Sequence, residues 1–222
     1  MIMRGGRDMS EPISDREPWV GDGEATVPGL IDAARRGHDA ARARLLERYR
    51  EYLRLLARTC LARRLKPKLD ASDMVQEAFL KAHERFHQFL GRTDAEMAAW
   101  LRRILANCAV DFARRARSEA RDVAREKSLE QELDRSSKAI AAFLEASHTT
   151  PSGAAERGEL SVAVADALAR MDEDDREVIV LRNFEDLEWG EIGRRMERSP
   201  DAARKLWARA LMRLRPLMGG RR

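Results

Sequence analysis

The chain has 222 residues, of which 36% are charged and only 5% aromatic, and its formal net charge is +4. A composition led by Ala, Leu, Arg and Glu favours helices over sheets, so an all-α fold is expected, as one domain or two small ones. No long apolar run and no N-terminal signal core exist, which predicts a cytoplasmic protein without membrane insertion. Cys60 and Cys108 lie far apart within apolar patterns and read as buried thiols of a reducing compartment, not as a disulfide scaffold.

Residues 1–26, rich in Gly, Pro, Asp, Glu and Arg, read as a disordered tail. A dense helical region follows over 27–124, with breaks near Lys66-Pro67 and Gly91. Within it, Asp70 or Ser72 is placed to cap a helix whose Val75, Phe79, Ala82, Phe86 and Phe89 recur at four, three, four, three. That spacing predicts one buried stripe. Asp73, Gln76, Glu77 and Lys81 fall off it and form a polar, largely acidic face suited to a basic partner helix.

His83-Glu84-Arg85-Phe86-His87 matches the His-Glu-x-x-His pattern of zinc proteases. The longer form of that pattern needs Gly and a third His where Leu90 and Thr93 stand, and Phe86 belongs to the core stripe. No metal, no cofactor and no catalytic residue are therefore expected.

From Trp100 to Arg117 the apolar stripe is Leu101, Leu105, Cys108 and Phe112, while Arg103, Asn107, Arg114 and Arg117 fall on another face. An amide flanked by guanidiniums suits nucleic acid, the amide pairing with a base edge and the cations holding phosphates. Residues 125–158 are polar and read as a flexible linker with one loose helix around Ile140 to Leu144. A second compact helical region covers 159–222. In it, Trp189 to Met196 reads as a helix, Glu197 to Pro200 as a turn, and the residues from Asp201 as a second helix. Ser199 is a good N-cap and Pro200 fits the first turn. The inward stripe is Ala203, Trp207, Ala210 and Leu214, leaving Arg204, Lys205, Ala208 and Arg209 outward. Such a helix-turn-helix can lay its second helix in a major groove. Basic residues cluster at 102–125 and 194–222, two separate contacts with a polyanion.

In this order the segments resemble the sigma-70 family of RNA polymerase sigma factors, in its short extracytoplasmic-function (ECF) type. The resemblance covers about 27–124 and 155–217 and implies two helical domains, sigma region 2 and the region 4 helix-turn-helix. It implies a transcription initiation factor, not an enzyme, whose partners are core polymerase, promoter DNA and an anti-sigma factor. By the same resemblance Asp73, Gln76 and Glu77 contact core polymerase. Asn107 faces an unstacked base of the −10 element, Arg103, Arg114 and Arg115 hold backbone near it, and the Gly91–Glu96 loop lies where the family captures a flipped base. Arg204, Lys205 and Arg209 contact −35 DNA, with Ser199 and Ala202 near its backbone. The turn departs from the family pattern, with Glu197 and Arg198 where Gly and an apolar residue are common, and Leu206 stands where Arg is frequent. The other reading is a helix-turn-helix regulator independent of polymerase, which explains 189–214 but neither of the two earlier faces.

Overall fold

A computed structural model describes residues 26–64, 70–117, 131, 133–140, 142, 143 and 154–218, with the backbone alone at 62–64, 113–117 and 154–158. All regular structure among them is helical. The expected N-terminal tail lies, except for Thr26, outside the described residues.

Helix α1 (Val27–Arg35) starts at Thr26, whose Oγ1 accepts from the Gly29 amide at 3.3 Å. It ends in a Schellman closure, with the His38 amide donating to the Ala33 carbonyl across Gly37 at φ 89°. Helices α2 (Asp39–Glu47) and α3 (Arg50–Arg64) follow. Asp70 caps α4 (Ala71–Glu84), accepting from the Ser72 amide at 2.8 Å. The chain then makes a 3-10 turn, Phe86–Gln88, before α5 (Asp94–Arg117). Helix α5 packs against α3 and α4. Its Met97, Leu101, Leu105 and Cys108 are fully buried, and Ile104 and Val110 nearly so. Burial pushes the Cys108 thiol up to about 11, so it stays protonated at neutral pH.

The expected α4 stripe is present with two amendments. Met74 and Ala78 are buried with Val75 and Ala82, while Phe79 is half-buried beneath the Arg50 guanidinium, 5.0 Å from its ring centroid. The α-helix stops at Glu84, so Phe86 and Phe89 reach the core through the 3-10 turn. That ending also separates His83 from His87: only the first stands on α4, and the His87 Nδ1 lies 3.1 Å from the Glu84 carbonyl. The two imidazoles do not share a helix face, so the protease geometry is not formed.

Helix α6 (Ala154–Ala169) packs on both α3 and α5, joining the second helical unit to the first. Helix α7 (Glu173–Ile179) widens into a π-turn at Val180–Phe184, closed by the Glu185 amide donating to the Val180 carbonyl. Helices α8 (Trp189–Arg195) and α9 (Pro200–Met218) complete the described residues. Between the units the helical stretch is 133–140, with 142 and 143, and it is not loose: Leu133 and Ile140 are buried and Phe143 meets the Phe184 ring at 5.4 Å. Leu144 lies outside the described residues.

The seam between the units is polar as well as apolar. Arg58 of α3 donates to Glu177 at 2.7 Å and to Glu185 at 3.2 Å. Tyr52 and Ser137 share a 2.9 Å hydrogen bond, joined by Arg102. Arg58→Ala leaves the buried Glu185 with one guanidinium fewer. The expected loss is about 2 kcal/mol in chemical denaturation, in the range for removing a partner from a buried charge; an unchanged midpoint would show that the seam contributes no stability.

Candidate nucleic-acid and partner-protein interfaces

Helix α8, the turn and α9 form the helix-turn-helix, and its turn is built by backbone geometry. Glu197 has φ 54°, a left-handed conformation. It completes a Schellman closure of α8, with the Arg198 amide donating to the Gly193 carbonyl at 2.8 Å and the Glu197 amide to Arg194 at 3.4 Å. A Cβ on Gly193 would stand 2.7 Å from the Arg198 carbonyl oxygen, so α8 needs glycine there for the turn to fold back on it. The Ser199 Oγ then accepts from the Ala202 amide at 3.1 Å and caps α9, with Pro200 in its first turn.

The inward side of α9 is Ala203, Leu206, Ala210 and Leu214. This corrects the expected stripe at one place: Leu206 takes the core position and Trp207 sits half-buried beside it. Trp207 is held by its indole N–H, which donates to Asn183 Oδ1 at 2.8 Å, and by the Trp189 ring at 5.7 Å. Leu206 therefore faces inward and is not available to replace an outward arginine.

Arg204, Lys205, Ala208 and Arg209 are exposed, as expected, and Ala202 is half-buried. Arg204 is held in place by a 3.0 Å ion pair to Asp201 and by the Trp189 ring, 5.6 Å from its guanidinium. Sequence reasoning missed this support; the i,i+3 spacing of Asp201 and Arg204 was a legible signal, whereas Trp189 lies on another helix. Among the described residues Lys205 and Arg209 have no ion pair. The rest of the motif is tied down by Arg198 on Asp174 and Arg213 on Asp175 at 2.6 Å.

On α5, Arg103 and Asn107 are exposed four residues apart and share one face. Exposed Glu96 and half-buried Trp100 continue that face towards the helix start, at spacings of four, three and four. Arg114 and Arg115 are on the same helix, but their side chains lie outside the described residues. On α4, Asp73 and Gln76 are exposed, joined by Leu80 at 59% exposure. Glu77 is more withdrawn, 3.5 Å from the Lys81 ammonium, which also donates to Asp111 of α5 at 2.7 Å. Burial acts to lower the Lys81 pKa, but the Asp111 hydrogen bond and the surrounding negative charge outweigh it and leave it raised. The acidic face of α4 and the polar face of α5 are thereby bolted together.

Glu197→Gly removes the left-handed strain at the turn, and thermal unfolding is expected to show a gain of about 1 kcal/mol. A loss would mean that the Glu197 side chain does more for the turn than its backbone costs.

Comparison with known proteins places the chain in a family. The family model described as ECF sigma factor matches residues 24–216. The RNA polymerase sigma-H factor of Pseudomonas aeruginosa is 29% identical over 170 residues, covering 76% of this chain and 81% of that protein. Among solved structures, CnrH in complex with the cytosolic domain of CnrY aligns at 21% identity over 86% of this chain and 96% of its own, with a TM-score of 0.31. The RsbN–BldN complex contains a chain aligned at 22% identity over 85% of this one and 99% of its own, with a TM-score of 0.30. With a family model running across both helical units, from ahead of α1 almost to the end of α9, the chain belongs to the ECF sigma factor family.

Proposed function

We propose that this promoter-directing initiation factor engages core RNA polymerase through α4, reads the melted −10 strand through α5, and reads −35 DNA through α9. The observation that carries this reading is the presence, on one chain, of two separate exposed faces that suit nucleic acid. These are Arg103 with Asn107 on α5, and Arg204 with Lys205 and Arg209 on the capped helix α9. A polymerase-independent regulator has no use for the first.

In this division of labour Asp73 and Gln76 make the outward contacts to polymerase, with Glu77 at the edge of the face. Asn107 offers an amide to a base edge, and Arg103, with Arg114 and Arg115 further along α5, neutralises backbone. Ser199 and Ala202 approach the −35 backbone at the start of α9, where the helix dipole favours phosphate. Lys205 and Arg209 supply cations that have no ion pair among the described residues. The partners are core polymerase, promoter DNA and an anti-sigma protein. The chain contributes no chemical step; the polymerase does.

Run-off transcription with core polymerase on genomic fragments tests the reading, and failure to find any start dependent on this chain overturns it. On a promoter found in this way, Asn107→Ala is expected to lower open-complex formation about tenfold, the scale of one lost base contact. Comigration with core polymerase is expected to stay intact, and its loss would show that α5 has been given the wrong partner. Lys205→Ala and Arg209→Ala are each expected to weaken duplex −35 binding and reduce the slope of log affinity against log salt by about 1. An unchanged slope would remove that residue from the phosphate contacts.

A further inference from the structure

The seam between the two helical units leaves a cleft of about 450 Å³. One wall is α3 with the start of α4, and the other is α6, α7 and the first residue of the π-turn. Leu55, Ala165, Leu168 and Val180 line it and are buried. Arg54, Arg58 and Arg176 line it too, against one acid, Glu51. Arg58 is engaged by Glu177 and Glu185. Arg54 holds Glu51 at 2.8 Å, with nearly half of its own side chain exposed. Arg176 is half-buried and has no ion pair among the described residues. A guanidinium drawn partly out of water beside apolar side chains, without a counter-charge, is unfavourable. An occupant both anionic and apolar relieves it.

The chain carries such a segment. Between residues 11 and 24 the acids are Glu11, Asp15, Glu17, Asp22 and Glu24, and the one base is Arg16. Ile13, Trp19 and Val20 are interleaved with them. The surplus of acid stands against a chain whose net charge is +4. The family match begins at residue 24, so this stretch lies almost wholly ahead of it. Reach is sufficient. Trp19 is seven residues from Thr26, and seven extended residues span about 24 Å. A unit of about 90 residues has a radius of gyration of about 12 Å. A tether of that length crosses most of the first unit, whose α3 forms one wall of the cleft. Tethering also raises effective concentration, so a few ion pairs and one aromatic ring are enough for occupancy.

We infer that residues 15–19 of the N-terminal segment dock in this cleft, with the Trp19 ring on Leu55 and Leu168 and the Asp15 and Glu17 carboxylates towards Arg54 and Arg176. Each unit supplies one wall, so the docked segment straps the seam that Arg58 closes from within. The strap is a property of the free chain and stands apart from the assignment of α4, α5 and α9 to polymerase and promoter.

The test uses the full-length chain with p-benzoyl-phenylalanine in place of Trp19, irradiated in dilute solution, with cross-linked peptides mapped by mass spectrometry. The expected cross-links are intramolecular and fall within 51–58, 165–169 or 176–180. Asp15→Arg/Glu17→Arg is expected to lower their yield about fivefold, the scale of a surface ion pair. Arg54→Glu/Arg176→Glu is expected to do the same, and the two pairs of reversals together to restore the yield. Restoration is a result that mere disturbance of the cleft by its own reversals does not give. The tail reversals lie ahead of α1 and leave the packed helices unaltered, so their outcome is decisive by itself. A yield indifferent to them overturns the inference. Cross-links confined to other surfaces of the same chain, or no cross-link at all, overturn it as well. Cross-links between two copies give the cleft to a second molecule and overturn the intramolecular strap.

Discussion

The carboxylate of Glu185 is buried, with its side chain 3% exposed, and it accepts from two guanidiniums. Arg58 reaches it from α3 at 3.2 Å and Arg195 from α8 at 3.0 Å. A buried carboxylate left alone is strongly unfavourable, and one met by two charge-assisted partners is tolerated at the positions those partners reach. The consequence is geometric. The residue after the π-turn, the first helix of the helix-turn-helix and the third helix of the first unit are fixed to one point. Glu177 takes the remaining side of Arg58, so the same cation also anchors α7. The helix-turn-helix is thus oriented by charge at its base while Arg204, Lys205 and Arg209 of α9 stay open to solvent.

Its internal order follows from backbone conformation. The π-turn at Val180–Phe184 carries Asn183, which accepts from the Trp207 indole, and Arg182, which lies 5.1 Å from the Trp189 ring centroid. Trp189 and Trp207 meet edge to face at 5.7 Å. These aromatic contacts set the separation of α8 and α9, and the Schellman closure at Glu197 sets their crossing. Arg204 rests on the same Trp189, so the pair of tryptophans supports both the hairpin and one of its outward cations.

Much of this was legible before any coordinates. The four-three periodicities located α4, α5 and α9, and Asp70, Ser199 and Pro200 marked helix starts, because capping and amphipathic spacing are local properties. The Leu206/Trp207 exchange was not legible. Both residues are apolar and adjacent on a helix, and the choice between them depends on Asn183, 24 residues away, which gives the indole N–H a partner at the edge of the core. The end of α4 at Glu84 was hidden for a similar reason: apolar residues at 86 and 89 continue the helical period, and a 3-10 turn delivers them to the same core. Arg35 was out of reach altogether, since its acceptors are backbone carbonyls 54 and 56 residues distant, and carbonyls leave no trace in a sequence.

Net charge understated the binding surfaces because the two signs are not equally available. Around the helix-turn-helix, Asp174, Asp175, Asp201 and Glu191 each hold an arginine, and those pairs spend charge on orientation. Lys205 and Arg209, exposed and without an ion pair among the described residues, stand with the oriented Arg204 on the face offered to a polyanion. A similar sorting operates at the α4–α5 contact, where Lys81 is absorbed by Glu77 and Asp111 while Asp73 and Gln76 stay outward on α4 and Arg103 and Asn107 stay exposed on α5. Two modest contacts joined in one chain raise each other's effective concentration, so binding through both is much tighter than through either. On the proposed reading, a chain of net charge +4 selects a site through placement, with few cations, and remains weakly attracted to nucleic acid that presents only one of the two elements.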